Sequence, residues 1–155
     1  MTILHSKYVA GAFRVPAAQW AGDVVAIRYE VSVPTDVADG DIIEVGILPA
    51  YHRIWDMTLD VDDIDSSTAI VLDVGIMSGE VGADFDADGT TPRTCGDELL
   101  DGATTGQAGG MVRPTLGSAF RIAPTDQDRS IGVKVVTDAG AAEAGVIGLT
   151  VFYGT

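Results

Sequence analysis

A chain of 155 residues, 46% hydrophobic and 21% charged, has the size and composition of one ordinary folded domain, which excludes a disordered segment and leaves no room for a second domain. Nine Lys and Arg against 23 Asp and Glu give a net charge of −14, a surface that repels phosphate backbones and argues against nucleic acid as a partner. The single cysteine, Cys95, excludes an internal disulfide framework and points to a reducing compartment. No stretch has the length of an apolar signal core or a spanning helix, so the chain reads as soluble, unprocessed and without a membrane partner.

In chain order, the first 22 residues show no sustained alternation and carry Lys7 and Arg14 with no acidic residue. The remaining seven basic and all 23 acidic residues give the rest of the chain −16. We expect an N-terminal arm over 1–22 and a β-sandwich domain over 23–155. Tyr8, Phe13 and Trp20, with Lys7 and Arg14, are the candidate partner-binding residues, because aromatic side chains dominate interface hot spots. A frayed terminus or an edge strand is the alternative reading of the same segment.

From Asp23 a period of two sets in, with Val25, Ile27, Tyr29, Val31 and Val33 on one face and Pro34 as the stop. A second strand sets Ile43, Val45 and Ile47 against Glu44 and Gly46, closed by Pro49. A third places Trp55, Met57, Leu59 and Val61 inward and Asp56, Thr58, Asp60 and Asp62 outward. A fourth sets Ile70, Leu72, Val74 and Ile76 against Asp73 and Gly75. Residues 78–114 hold most of the turn formers and read as a long excursion with one short helical turn at 97–100. Three more strands are expected at about 119–123, 130–137 and 144–153. Short strands separated by Asp-Gly, Pro and Gly-rich turns, without an amphipathic helix, predict an all-β antiparallel sandwich, jelly-roll-like, with an extended N-terminal arm. An immunoglobulin-like sandwich fits the same pattern.

Candidate chemistry is sparse. Asp84, Asp86, Asp88 and Gly89 match the opening of a calcium loop, but the twelfth position is Cys95 rather than Glu, and the expected reading is a solvated acidic loop with no metal and no cofactor. Asp60, Asp62, Asp63 and Asp65, with Ser66 and Ser67, read as a charged turn that discourages edge-to-edge strand pairing. His5 falls in the arm and His52 in a Pro-flanked turn, both far in sequence from Cys95, so no nucleophile and base are paired and we expect no enzyme. The glycines of GATTGQAGGM precede no helix and give no phosphate loop.

The string DVADGDIIEVGILPAYHRIWDMTLDVDDIDSSTAIVLDVGIMSG at 36–79, TTGQAGG at 104–110 and the C-terminal AGVIGLTVFYG resemble small jelly-roll decoration, or cement, proteins of tailed bacteriophage capsids. The resemblance runs loosely over most of the chain. It implies a non-enzymatic virion protein, made in the host cytoplasm, that sits on the capsid exterior and binds the major capsid protein and itself, as a homotrimer, to bridge neighbouring capsomers. Each trimer would carry three times −14, so its contact is expected to be apolar. A head-fibre base, tail or baseplate component, or a calcium-dependent carbohydrate-binding jelly roll, are the alternatives kept beside it.

Overall fold

Regular alternation makes Val25–Val33 a strand with one dry face: Ile27, Tyr29, Val31 and Val33 are buried while Arg28, Glu30 and Ser32 between them are exposed. The computed structural model of the chain describes residues 1–17, 20 and 22–155. Its strands are β1 (Ile3–His5), β2 (Val25–Val33), β3 (Ile42–Leu48), β4 (Arg53–Val61), β5 (Val71–Ile76), β6 (Leu100–Ala103), β7 (Gly110–Val112), β8 (Arg129–Thr137) and β9 (Gly145–Gly154). Two short 3₁₀ turns, Thr105–Gln107 and Gly117–Phe120, are the only helical elements among the described residues, and no helix is long and apolar enough to cross a membrane.

Two sheets stack face to face, one in the order β1-β3-β8-β5-β6 and the other β2-β9-β4-β7. Every named pairing is antiparallel except β1 on β3, which is parallel. With β1 set aside, the two four-stranded sheets have the interleaved strand order of a jelly roll, so the expected all-β sandwich is the fold observed. The core fills the space between the sheets with Tyr29, Val45, Met57, Leu59, Leu72, Val74, Ile131, Val133, Ile147, Leu149 and Val151, each essentially inaccessible. At roughly 1.5–3 kcal/mol for each large apolar side chain, this layer is the main source of stability. Tyr29 enters the layer without an orphaned hydroxyl, since its O–H donates to Ile47 O at 2.8 Å. Its ring lies so near Gly46 that a Cβ there would sit 2.6 Å from it, which restricts the position to glycine.

Register shifts account for most departures from the alternation. A shift between Glu44 and Gly46 in β3 carries Leu48 inward in place of Ile47. Glu44 lies opposite the core as expected, but its face is covered by other chain and it is fully buried. A shift between Ile54 and Asp56 in β4 likewise carries Ile54 inward, while Trp55, expected inward, is 50% exposed. No helical turn forms at 97–100: the N–H groups of Gly96 and Leu99 donate instead to the β5 carbonyls of Ile76 and Val74, and β6 follows directly. The strand expected at 119–123 is replaced by the 3₁₀ turn Gly117–Phe120, which buries Ala119. The excursion over 78–114 therefore supplies β6 and β7, two strands too short to show a period.

Candidate interaction surfaces

The N-terminal segment is tied to the sandwich at several points. Its strand β1 lies beside β3 with Ile3 opposite Ile42 and His5 opposite Glu44, and Ser6 N–H donates to Glu44 O at 2.9 Å. The ring of Tyr8 meets Tyr29 edge-on, with centroids 4.8 Å apart, and Phe13 packs on Tyr8 at 5.4 Å. Further along, Tyr153 O–H donates to Pro16 O. Of the five candidate residues, the structure brings Tyr8 and Phe13 together, with Tyr8 half-buried. Lys7 and Arg14 are exposed, Phe13 is 53% exposed and Trp20 75% exposed.

Beneath this segment lies a charged cluster that alternation alone conceals. Glu44 on β3 and Arg93 in the excursion are both wholly buried and paired, with Nη1 3.0 Å from Oε1. The same oxygen accepts from Gly82 N–H at 3.1 Å and from Ser130 O–H. Arg93 donates further to Ser78 O at 2.6 Å, Ala83 O at 2.8 Å and Ser130 Oγ at 2.9 Å. His5 Nδ1 stands 2.7 Å from Glu44 Oε2, a buried oxygen that makes no hydrogen bond among the described residues. One carboxylate thus joins β1, β3, β8 and the excursion, with its charge matched by Arg93 and its Oε1 accepting from Arg93, Gly82 and Ser130, which helps to offset the burial of the ion pair.

The acidic motifs serve turns. Asp88 accepts from the N–H groups of Thr90 and Thr91 at 2.9 and 2.7 Å and from the Thr91 hydroxyl at 2.5 Å, and these bonds, the hydroxyl first, bring its carboxyl down to about 2. Asp84 lies 3.8 Å from His5 Nε2, and Asp84, Asp86 and Asp88 do not form a group able to share one ion; among the described residues Asp73, Asp97 and Asp101 alone come that close together. Asp60 pairs with Arg28 at 2.6 Å, and Asp62 accepts from Val146 N–H at 2.9 Å. Asp65, expected as a member of a charged turn, is buried. Burial by itself would raise its carboxyl, but the N–H groups of Ala141, Ala69 and Ile70 and the Ser67 hydroxyl outweigh that and hold it far below the usual carboxylate range. His52 is a packing residue: its Nδ1 lies 2.7 Å from Ala50 O and its ring meets Tyr153 edge-on at 5.6 Å. Burial pushes the Cys95 thiol up to about 12, the opposite of what a nucleophile needs.

The outer face of the β2-β9-β4-β7 sheet is divided between charge and apolar surface. Arg28 reaches across Gly148 of β9 to Asp60 of β4 while also pairing with Glu30 at 2.6 Å; a Cβ at Gly148 would lie 2.3 Å from the guanidinium. Toward one end of that sheet stand Val24 and Trp55, both at least half exposed, and Met111 of β7 is 76% exposed. Sequence reasoning placed Trp55 in the core and could not see this face, because nothing in a period-two pattern marks a register shift.

Jelly-roll topology defines the class of fold. No family model matches the chain, and no curated protein matches it. Among solved structures, a chain in the capsid of Ralstonia phage GP4 is 44% identical, superposes with a TM-score of 0.89, and the match covers 99% of this chain and 97% of that one. A chain of the cyanophage Pam1 capsid asymmetric unit shares the fold at 19% identity and a TM-score of 0.61, covering 91% of each chain. At that level of identity and coverage to the GP4 chain, this protein belongs to a family of bacteriophage capsid proteins. Its role is that of a virion structural protein.

Proposed function

We propose that the chain is a capsid decoration, or cement, protein that binds the outside of the major capsid shell as a homotrimer and bridges neighbouring capsomers without catalysis. The observation that carries this reading is the full-length likeness to a phage capsid chain at 44% identity. Charge supports an exterior position: a net of −14 is repelled by packaged nucleic acid, which favours the outside over any surface facing the genome. The partners are then the major capsid protein and other copies of this chain, with no nucleic acid or membrane involved, and the protein reaches the particle from the host cytoplasm.

Grip on the shell falls to the N-terminal segment. Phe13 and Trp20 offer exposed aromatic area and Lys7 and Arg14 exposed positive charge in a stretch with no acidic residue, while Tyr8 fixes the segment on Tyr29. A protein that touches two or three subunits at once gains effective concentration for each further contact, so modest contacts repeated over a shell resist its expansion together. The test is sedimentation of purified protein with emptied particles, alongside the Phe13→Ser/Trp20→Ser variant. Saturable co-sedimentation that the variant loses, at unchanged melting temperature, supports the reading. Wild-type protein left in the supernatant contradicts decoration, and equal binding by the variant contradicts the role of the segment.

A further inference from the structure

The two sheets end in four edge strands, and three of them are short: β1 and β7 run for 3 residues and β6 for 4. The fourth, β2, runs for 9 residues against β9 with no register shift and with neither Pro nor Lys inside it. It therefore lacks the devices by which folded chains usually blunt a long sheet edge.

Hydrogen bonding settles which of its backbone groups face outward. The N–H of Asp62 donates to Val146 O at 3.0 Å, so the even-numbered residues of β9 turn their N–H and C=O groups toward β4. In an antiparallel ladder these groups alternate sides, so the odd-numbered residues of β9 face β2 and bond to Ile27, Tyr29 and Val31 opposite them. The N–H and C=O groups of Ala26, Arg28, Glu30 and Ser32 are left pointing away from the sheet. All four residues are exposed, and among the described residues no backbone group bonds to theirs. Where the N-terminal segment comes near, the edge borders open space, because Glu30–Ser32 and His5–Lys7 line a common hollow of about 260 Å³.

The order of side chains along this edge selects its occupant. Laid antiparallel against itself about Tyr29, the strand sets Arg28 opposite Glu30 of the second copy and Ala26 opposite Ser32. Opposed residues share one face of a sheet, so each cross-strand pair on the outer face is either oppositely charged or small. In the same register every outward N–H and C=O of the four residues meets its complement. Centring the pairing on Arg28 or on Glu30 instead would set like charges directly opposite each other. With side chains 44% and 63% exposed, Arg28 and Glu30 have room to meet their counterparts across the axis.

We propose that two copies of this chain pair antiparallel through β2, centred on Tyr29, and join their β2-β9-β4-β7 sheets into one continuous sheet. The contact is two-fold, so it is distinct from the three-fold contact of the proposed trimer and links copies beyond it. It stands on the free edge and does not depend on decoration of a shell.

Cysteine trapping in the full-length protein reads the register. Ala26→Cys and Ser32→Cys each change an exposed residue, and Cys95 stays in place because burial keeps its thiol slow to react. The two positions lie about 20 Å apart along one strand, too far for a disulfide within a chain or between like positions of the pair. Oxidised separately, each variant should run as a single chain on a denaturing, non-reducing gel. Mixed, the two should form a covalent heterodimer, since opposed Cα atoms about 5.5 Å apart lie within disulfide range. Light scattering gives an independent reading: Glu30→Arg should lower the assembly mass by half or more, and Arg28→Glu/Glu30→Arg, which restores complementarity across the axis, should recover it. No heterodimer in the mixture, equal cross-linking by either variant alone, or an unchanged mass in Glu30→Arg overturns the proposal. Protection of the outward β2 amides from deuterium exchange only on particles, without cross-linking, would also overturn it by assigning the edge to a strand of another protein.

Discussion

Glu44→Gln isolates the charge of the buried cluster from its shape. Glutamine preserves the volume and an oxygen able to accept from Gly82 N–H, Ser130 O–H and Arg93, so what is lost is the negative charge opposite a guanidinium that is 0% exposed. Removing one partner of a buried ion pair costs about 3–5 kcal/mol, and the retained hydrogen bonds place this substitution near the lower end, at about 3 kcal/mol. For a domain of this size each kcal/mol moves the melting temperature by about 2–4 °C, so a fall of about 6–12 °C is expected by calorimetry or circular dichroism. The Glu44→Gln/Arg93→Gln double variant should cost less than the two single changes together by at least about 1 kcal/mol, because the second change removes a charge already left alone. A fall of less than about 2 °C, or strict additivity, would refute the account of this cluster as a matched ion pair.

Three further outcomes follow from other sites. The carboxyl of Asp65 is depressed in the folded chain, so its contribution to stability is complete above the unfolded carboxyl value of about 4 and is lost as pH falls through and below it; Asp65→Asn should be less stable at neutral pH and show a shallower acid decline in melting temperature, whereas an acid limb identical to wild type would contradict the assignment. Cys95, with its thiol pushed up to about 12, should react with a disulfide reagent at pH 8 far more slowly in the native protein than in denaturant, and equal rates would show the site to be open. The register shift in β4 predicts that Trp55→Ser changes stability by no more than about 0.5 kcal/mol while Met57→Ala costs about 2–5 kcal/mol; a reversed order would return Trp55 to the core.

The strands of the sandwich were legible wherever one face is dry and the other wet. β2 repeats Ile27, Tyr29, Val31, Val33 against charged and small polar residues, and β8 and β9 were placed to within a residue or two of their observed ends. The pattern failed where both faces are covered. Glu44 sits in a strand whose outer face lies under the excursion and the N-terminal segment, and its partner Arg93 comes from a stretch with no period at all. A charged residue inside an otherwise apolar run, Ile42 to Leu48, was the signal available, and it is ambiguous without knowledge of what covers it. Asp65 was hidden for a related reason: beside the local donors of Ser67, Ala69 and Ile70 it accepts from Ala141, 76 residues away in sequence. Trp55 was misplaced by one register shift, a change of one residue that reverses which side chains face the core.

Whether this sandwich decorates the outside of a capsid, as proposed, is decided by a cryo-electron microscopy reconstruction of the mature phage particle. Decoration requires density for the jelly roll in trimers on the outer surface, seated over the contacts between capsomers, with the N-terminal segment facing the shell. Density for the same sandwich in the continuous floor of the shell, on its inner surface or confined to the tail would contradict it.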